Sequence, residues 1–258
     1  PRLRPAAARG RVVTGGVRVT EAFSRADAID AAWMGWGALR VLSHQEWVPG
    51  ARRDDGRIAN MERLLLVAGG ALDVAAGEAG RHRVGAGGAL WIGAGHGLEV
   101  GLANASPDAP LRLLELWLQP DRVNAAPVLA VRAPGQHQAA AAGWDLLAGG
   151  DRQVGDTAPA APGAAALAMD APLPLRLRAQ VLVGRPVAGA CLDIRAGGQR
   201  FWLEVLDGEV LARRAGGDEF HLGAGDGVGW RVGDAAAPVA VLARSTTPPA
   251  VLLVVLPA

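Results

Sequence analysis

Met61-Glu-Arg-Leu-Leu-Leu-Val-Ala-Gly-Gly70, Val84-Gly-Ala-Gly-Gly-Ala-Leu-Trp-Ile92 and Ala94-Gly-His-Gly97 set strand-length apolar runs between glycine turns. Glycine suits a turn that needs positive φ or a close backbone approach, so these stretches read as strand, turn and strand. The same pattern extends outward through Leu39-Arg-Val-Leu42, Ala71-Leu-Asp-Val74 and Leu111-Arg-Leu-Leu-Glu-Leu-Trp-Leu118. Many short strands with regular turns predict an all-β sandwich or barrel. In Leu111–Leu118, Leu111, Leu113 and Trp117 oppose Arg112 and Leu118, which implies two buried faces or a bulge.

The unit occurs twice. Gly70, Gly85, Ala86 and Gly87 have counterparts in Gly208, Gly223, Ala224 and Gly225 at identical spacing. Two copies of one β-unit follow. Between them, the Ala-, Gly- and Pro-rich stretch predicts a connector over 125–165 with a short helix around 139–147. One barrel is expected over 1–124 and another over 166–258.

The 258 residues are half hydrophobic, with 26 basic and 25 acidic side chains in mixed order. Such a chain can bury a substantial core and presents no strong field to nucleic acid or an anionic membrane. Arg52-Arg53 and Arg213-Arg214 read as solvated turns. The longest apolar run, Val251–Leu256, is too short for a bilayer, which takes about 20 residues. The opening residues lack a signal peptide's apolar core. The single cysteine, Cys191, excludes an intramolecular disulfide, suits a reducing cytoplasm and reads as a buried inert thiol.

Further motifs sharpen the fold. Phe23-Ser24, Met34-Gly-Trp-Gly-Ala-Leu-Arg-Val-Leu42, Val48-Pro-Gly50, Met61-Glu62, Ala94-Gly-His-Gly97, Asn104-Ala-Ser106 and Leu116-Trp-Leu-Gln-Pro120 together resemble the pirin family of bicupins. Phe201-Trp-Leu-Glu-Val-Leu-Asp-Gly208, Leu222-Gly-Ala-Gly-Asp226 and Leu252-Leu-Val-Val-Leu-Pro257 carry a looser likeness in the second half. The resemblance implies two jelly-roll-like cupin β-barrels in one chain. It also implies an N-terminal barrel that binds iron or another divalent metal, with quercetinase-like dioxygenase activity in some members.

The family's metal ligands, His-x-His before the Met-Glu and His-x-Glu before the Asn, fall here on Gly56, Ile58, Val100 and Leu102. None supplies a lone pair, whereas a ferrous site needs about three protein donors. The expectation is therefore a metal-free pocket without a cofactor or catalytic residues, lined by Gly56, Ile58, Val100 and Leu102 facing inward. Strand parity extends that inward face to Asn60 and Glu62, and Glu62 matches the carboxylate of the general cupin pattern. His96, in the turn, is the remaining polar candidate.

The other histidines have no ligand-like spacing: His44 and His137 read as connecting segments, His82 as surface. Trp33, Trp36, Trp47 and Trp91 read as core or pocket walls. The partners expected are a small apolar or aromatic ligand or another protein. The alternative is a metal-dependent, quercetinase-type dioxygenase with ligands outside the usual spacing.

Overall fold

The structure, a computed structural model, describes residues 1–135, 143–149, 171–194, 200–231 and 239–257. The chain opens with β1 (Arg2–Arg4), β2 (Gly10–Thr14), β3 (Val17–Glu21), β4 (Leu39–Trp47), β5 (Arg52–Ile58) and β6 (Glu62–Gly69). It continues with β7 (Ala71–Ala76), β8 (Arg81–Gly85), β9 (Ala89–Gly93), β10 (Leu98–Asn104), β11 (Leu111–Leu118) and β12 (Val128–Arg132). The later strands are β13 (Trp144–Gly149), β14 (Gln180–Gly184), β15 (Cys191–Ile194), β16 (Arg200–Asp207) and β17 (Glu209–Arg214). Last come β18 (Glu219–Gly223), β19 (Gly227–Trp230), β20 (Val239–Ala243) and β21 (Ala250–Leu256). Among the described residues no helix is long and apolar enough to cross a membrane.

The chain forms two compact units. The first comprises Gly10–His137 and Gly149–Leu177 and holds a seven-stranded sheet, β12-β9-β6-β11-β4-β3-β2, and a four-stranded sheet, β5-β10-β7-β8. Its core draws Leu65, Val67, Leu90, Ile92, Leu111 and Leu113 from the larger sheet and Leu72, Val74, Val100 and Leu102 from the smaller. Every second residue of a strand points to the same face, so these positions define the barrel interior. Trp33, Trp36, Trp47 and Trp91 are all buried, as packing residues should be.

The second unit comprises Pro1–Arg9, Gln138–Ala148 and Arg178–Ala258, with sheets β1-β19-β16-β21-β14-β13 and β15-β20-β17-β18. Phe201, Leu203, Val205, Val228, Trp230, Val251 and Leu253 build its core.

The repeat is exact at the level of backbone hydrogen bonds. Gly87 N–H donates to Val67 O at 2.8 Å and Gly225 N–H to Val205 O at 2.8 Å, while both glycines have φ of 83°. Gly70 and Gly208 lie at φ 79° and 75°, where a side chain would be strained and would press on Pro110 or Pro249. The shared glycine spacing thus records a shared turn.

Three boundaries differ from those read in the sequence. Residues 128–132, placed in the connector, form β12 and pair antiparallel with β9. Trp144–Gly149 is a strand where a helix over 139–147 was expected; residues 139–142 of that expectation lie outside the described residues. Alanine's helix propensity is a weak preference that strand pairing overrides. The N-terminal strand belongs to the other unit, since β1 pairs with β19 and Arg9 is buried against Glu204. In β11 both buried faces and register shifts occur, beside Arg112 against β6 and beside Trp117 against β4.

Candidate functional site

The inward face of the first unit's sheet changes character toward one end. β3 runs inward through Val17 and Val19 to Glu21, β6 through Val67 and Leu65 to Arg63, and β11 through Leu111 and Leu113 to Glu115 and Trp117. On β4 the same face carries Trp47, Gln45 and Ser43. The register sets Ser43 opposite both Glu21 and Glu115, and Leu65 opposite Glu115. Hydrocarbon therefore gives way to a layer of charge inside the barrel.

Glu115 is the hub. It is fully buried, and its Oε2 accepts hydrogen bonds from Gln45 Nε2 at 2.5 Å and Arg53 Nη2 at 3.2 Å, with Arg25 Nη1 at 3.6 Å. Its Oε1 accepts from Trp117 Nε1 at 2.6 Å and from Arg63 Nη2. Arg63, also fully buried, pairs with Asp55 at 2.8 Å, and Arg53 pairs with Asp55 at 2.6 Å. Gln45 Oε1 accepts from Trp47 Nε1 and Arg53 Nη1. Guanidiniums lie over the indoles: Arg25 and Arg63 over Trp117, Arg53 over Trp47.

Electrostatics separate the two buried glutamates. Burial alone would raise the Glu115 pKa, but the charges of Arg63, Arg53 and Arg25 hold it well below the ordinary carboxylate range. Glu21 lies 3.8 Å from Arg25, and burial, aided by the Glu115 charge and opposed by Arg25 and Arg53, pushes its pKa up to about 7. Arg25, Arg53 and Asp55 keep part of their side chains in solvent, so the layer reaches the surface.

A bulge on β5 places Arg53 and Asp55 inside. Leu98 pairs with Ile58 and Glu99 with Arg57, yet Gly101 pairs with Asp54, leaving Asp55 and Gly56 together opposite Val100. Gly56 has φ 63° and donates its N–H to Asp54 Oδ1 at 2.9 Å. One extra residue flips the face of everything before it.

Ile58, Val100 and Leu102 are buried in the apolar core. Gly56 sits in the bulge with open space where a Cβ would be, so it does not share their inward face. Asp55 takes the inward place instead. Arg53 is likewise no solvated turn residue but a half-buried β5 side chain held in the network.

Asn60 and Glu62 also depart from the expected face. Asn60 has φ 52°, is half-buried, and accepts Asn124 N–H at 2.8 Å through Oδ1. That reversal breaks the parity between β5 and β6, so Glu62 lies on the face opposite Arg63 and Leu65. There it is buried, accepting Trp91 Nε1 at 2.8 Å and Arg176 N–H at 3.2 Å. His96 is exposed, its peptide groups bonded to Ala125 and Arg57. His44 lies within β4, not in a connecting segment; His137 lies outside the described residues. Cys191 is exposed, not buried, with its thiol on Asp193 Oδ1 at 3.6 Å.

Burial raises the Glu62 pKa from 4.5 to about 7, against the opposing Arg176 charge and the Arg176 and Trp91 N–H groups. Between those pH values the folded state holds the proton that the unfolded state releases. Glu62 therefore lowers stability as pH rises from 4.5 to 7. Glu62→Gln should flatten that slope by about 1 kcal/mol per pH unit in urea unfolding. An unchanged slope would contradict the buried placement.

Gly56, Ile58, Val100 and Leu102, where the resemblance sets metal ligands, offer no donor to a divalent metal. Glycine and three core hydrocarbons give no donor, and the neighbouring carboxylates Asp55 and Glu115 are engaged by arginines. Among the described residues no three His, Cys, Asp or Glu side chains are grouped to hold an ion. Parity along β6 and β11 could have revealed Arg63 and Glu115, since each continues an apolar inward row; the bulge hid Arg53 and Asp55.

No family model and no curated protein matches this sequence. Solved structures do. Bacterial pirin YhhW from Escherichia coli, in complex with nickel(II), superposes with TM-score 0.80 at 22% identity, covering 99% of this chain and 98% of that one. YhaK from Escherichia coli gives 0.68 at 23% identity over 92% of each chain. A quercetin 2,3-dioxygenase from Acinetobacter baumannii gives 0.70 at 15% identity, over 99% of this chain and 78% of that one. In fold, this chain is a pirin-like bicupin.

Proposed function

We propose that this protein is a small-molecule-binding bicupin whose first barrel works without a metal. The observation that supports this reading is the arginine–carboxylate layer of Arg53, Asp55, Arg63 and Glu115 beside ligand positions that carry no donors. A guanidinium needs no coordination sphere and holds positive charge in a fixed, hydrogen-bonded geometry. With polar groups converging on an apolar interior, such a barrel suits binding and orientation of a ligand.

Dioxygenase chemistry of the quercetinase type needs a metal with open positions, for which these residues offer no seat. The test is elemental analysis of protein expressed with added iron, manganese, nickel or zinc, combined with a quercetin turnover assay. Metal far below one equivalent and no metal-dependent turnover are expected. Stoichiometric metal with turnover would replace this reading by the enzymatic one.

A further inference from the structure

The outer face of the four-stranded sheet β5-β10-β7-β8 forms an open hollow of about 710 Å³, within the size range of small-ligand sites. Leu72, Val74, Val100 and Leu102 point into the core, so Asp73, Ala75, Gly101 and Ala103 point outward. Ala75, Gly101 and Ala103 make a flat floor on the two central strands, and a Cβ at Gly101 would meet only that of Ala75, at 4.0 Å. Long side chains stand on the edge strands, which lie about 14 Å apart. Arg52 is on β5, Arg81 and Arg83 are on β8, and all three are exposed.

Register orders the charges along this face. Ala103 shares a row with Arg52, Asp73 and Arg83, and the next row holds Asp54, Gly101, Ala75 and Arg81. Arg83 donates to both oxygens of Asp73, at 2.6 and 2.7 Å, and with the charges of Arg52 and Arg81 holds that carboxyl below the usual carboxylate range. Three guanidiniums thus face one carboxylate, which Arg83 already occupies. Of the other acids, Asp54 accepts Gly56 N–H, and Glu99 lies a row further along β10. The hollow is cationic at one end and acidic toward the other, with an unobstructed floor between.

We infer that this hollow binds a phosphate monoester with a flat body bearing hydrogen-bond donors, the chemical class of nucleoside monophosphates. Arg52 and Arg81 approach from opposite edges, and the three terminal oxygens of a phosphate accept from both, where a carboxylate offers two oxygens in one plane. The ring lies on the peptide planes of Gly101 and Ala75, and its donors turn to Glu99 and Asp54. The site is outside the barrel and stands whether or not the interior takes a metal.

Titration calorimetry with adenosine 5′-monophosphate, adenosine and inorganic phosphate tests it. One saturable site is expected for the nucleotide, with Kd below about 1 mM, and each fragment should bind at least about tenfold more weakly. Arg52→Gln and Arg81→Gln should each weaken the nucleotide about tenfold, the loss of one charge-assisted hydrogen bond. Both arginines are exposed, so these variants fold. Gly101→Val should abolish binding by filling the floor without lowering stability in urea, since φ there is not left-handed and valine suits a strand. A nucleotide Kd above about 1 mM, a fragment that binds equally well, or nucleotide binding indifferent to Arg52→Gln and Gly101→Val would overturn the inference.

Discussion

Glu115→Ala should destabilise the first unit by about 3–5 kcal/mol, because it strands buried positive charge without its counter-ion. Asp55 would remain as the carboxylate paired with Arg63 and Arg53, and the indole N–H of Trp117 and the amide of Gln45 would lose the carboxylate they both donate to. Urea unfolding monitored by tryptophan fluorescence measures the loss. Glu115→Gln should cost less, since an amide still accepts hydrogen bonds, but it cannot neutralise a guanidinium. A change below about 1 kcal/mol for Glu115→Ala would mean the network is solvated like a surface pair.

The sign of the pH effect at Glu115 is opposite to that at Glu62. A carboxyl whose folded pKa is depressed contributes stability that is complete above its unfolded pKa and is lost as pH falls toward the folded value. Glu115 therefore weakens the fold below about pH 4.5, while Glu62 and Glu21 weaken it as pH rises from 4.5 to 7. Maximum stability is expected near the lower end of that second window.

Arg9→Met should cost the second unit a comparable 3–5 kcal/mol, on the order expected for breaking a buried ion pair. Arg9 donates to both oxygens of Glu204, at 2.6 and 2.8 Å, and neither side chain reaches solvent. The methionine fills space without replacing the charge. Trp202 Nε1, at 3.0 Å, would still donate to Glu204, but a neutral donor does not replace the lost guanidinium charge. Because Arg9 follows β1, the same loss should loosen β1 from β19, which hydrogen exchange at Leu3 and Val228 would register. Protection unchanged at these amides would separate the ion pair from strand docking.

Much of the fold was legible because apolar runs and glycine turns are local. Leu39–Leu42, Arg63–Val67, Ala71–Val74 and Ala89–Ile92 all lie in strands, and the spacing Gly70–Gly85 against Gly208–Gly223 marks two equivalent turns. The site was less legible because it depends on phase. Gly56 and Asn60 both adopt positive φ, and each resets which residues face inward. A count by twos through them exchanges Asp55 for Gly56 and puts Glu62 on the wrong side. The displaced ends of the units, β1 and β13, depend on long-range pairing that alanine-rich composition does not encode.

Guanidinium groups carry the positive charge inside the first barrel. A crystal structure of protein grown and crystallised with nickel(II), with anomalous data at the nickel edge, tests it most directly. Arg63 should lie between Asp55 and Glu115, with no anomalous peak inside that barrel. A nickel peak bonded to Asp55 or Glu115, with Arg63 swung away, would contradict it.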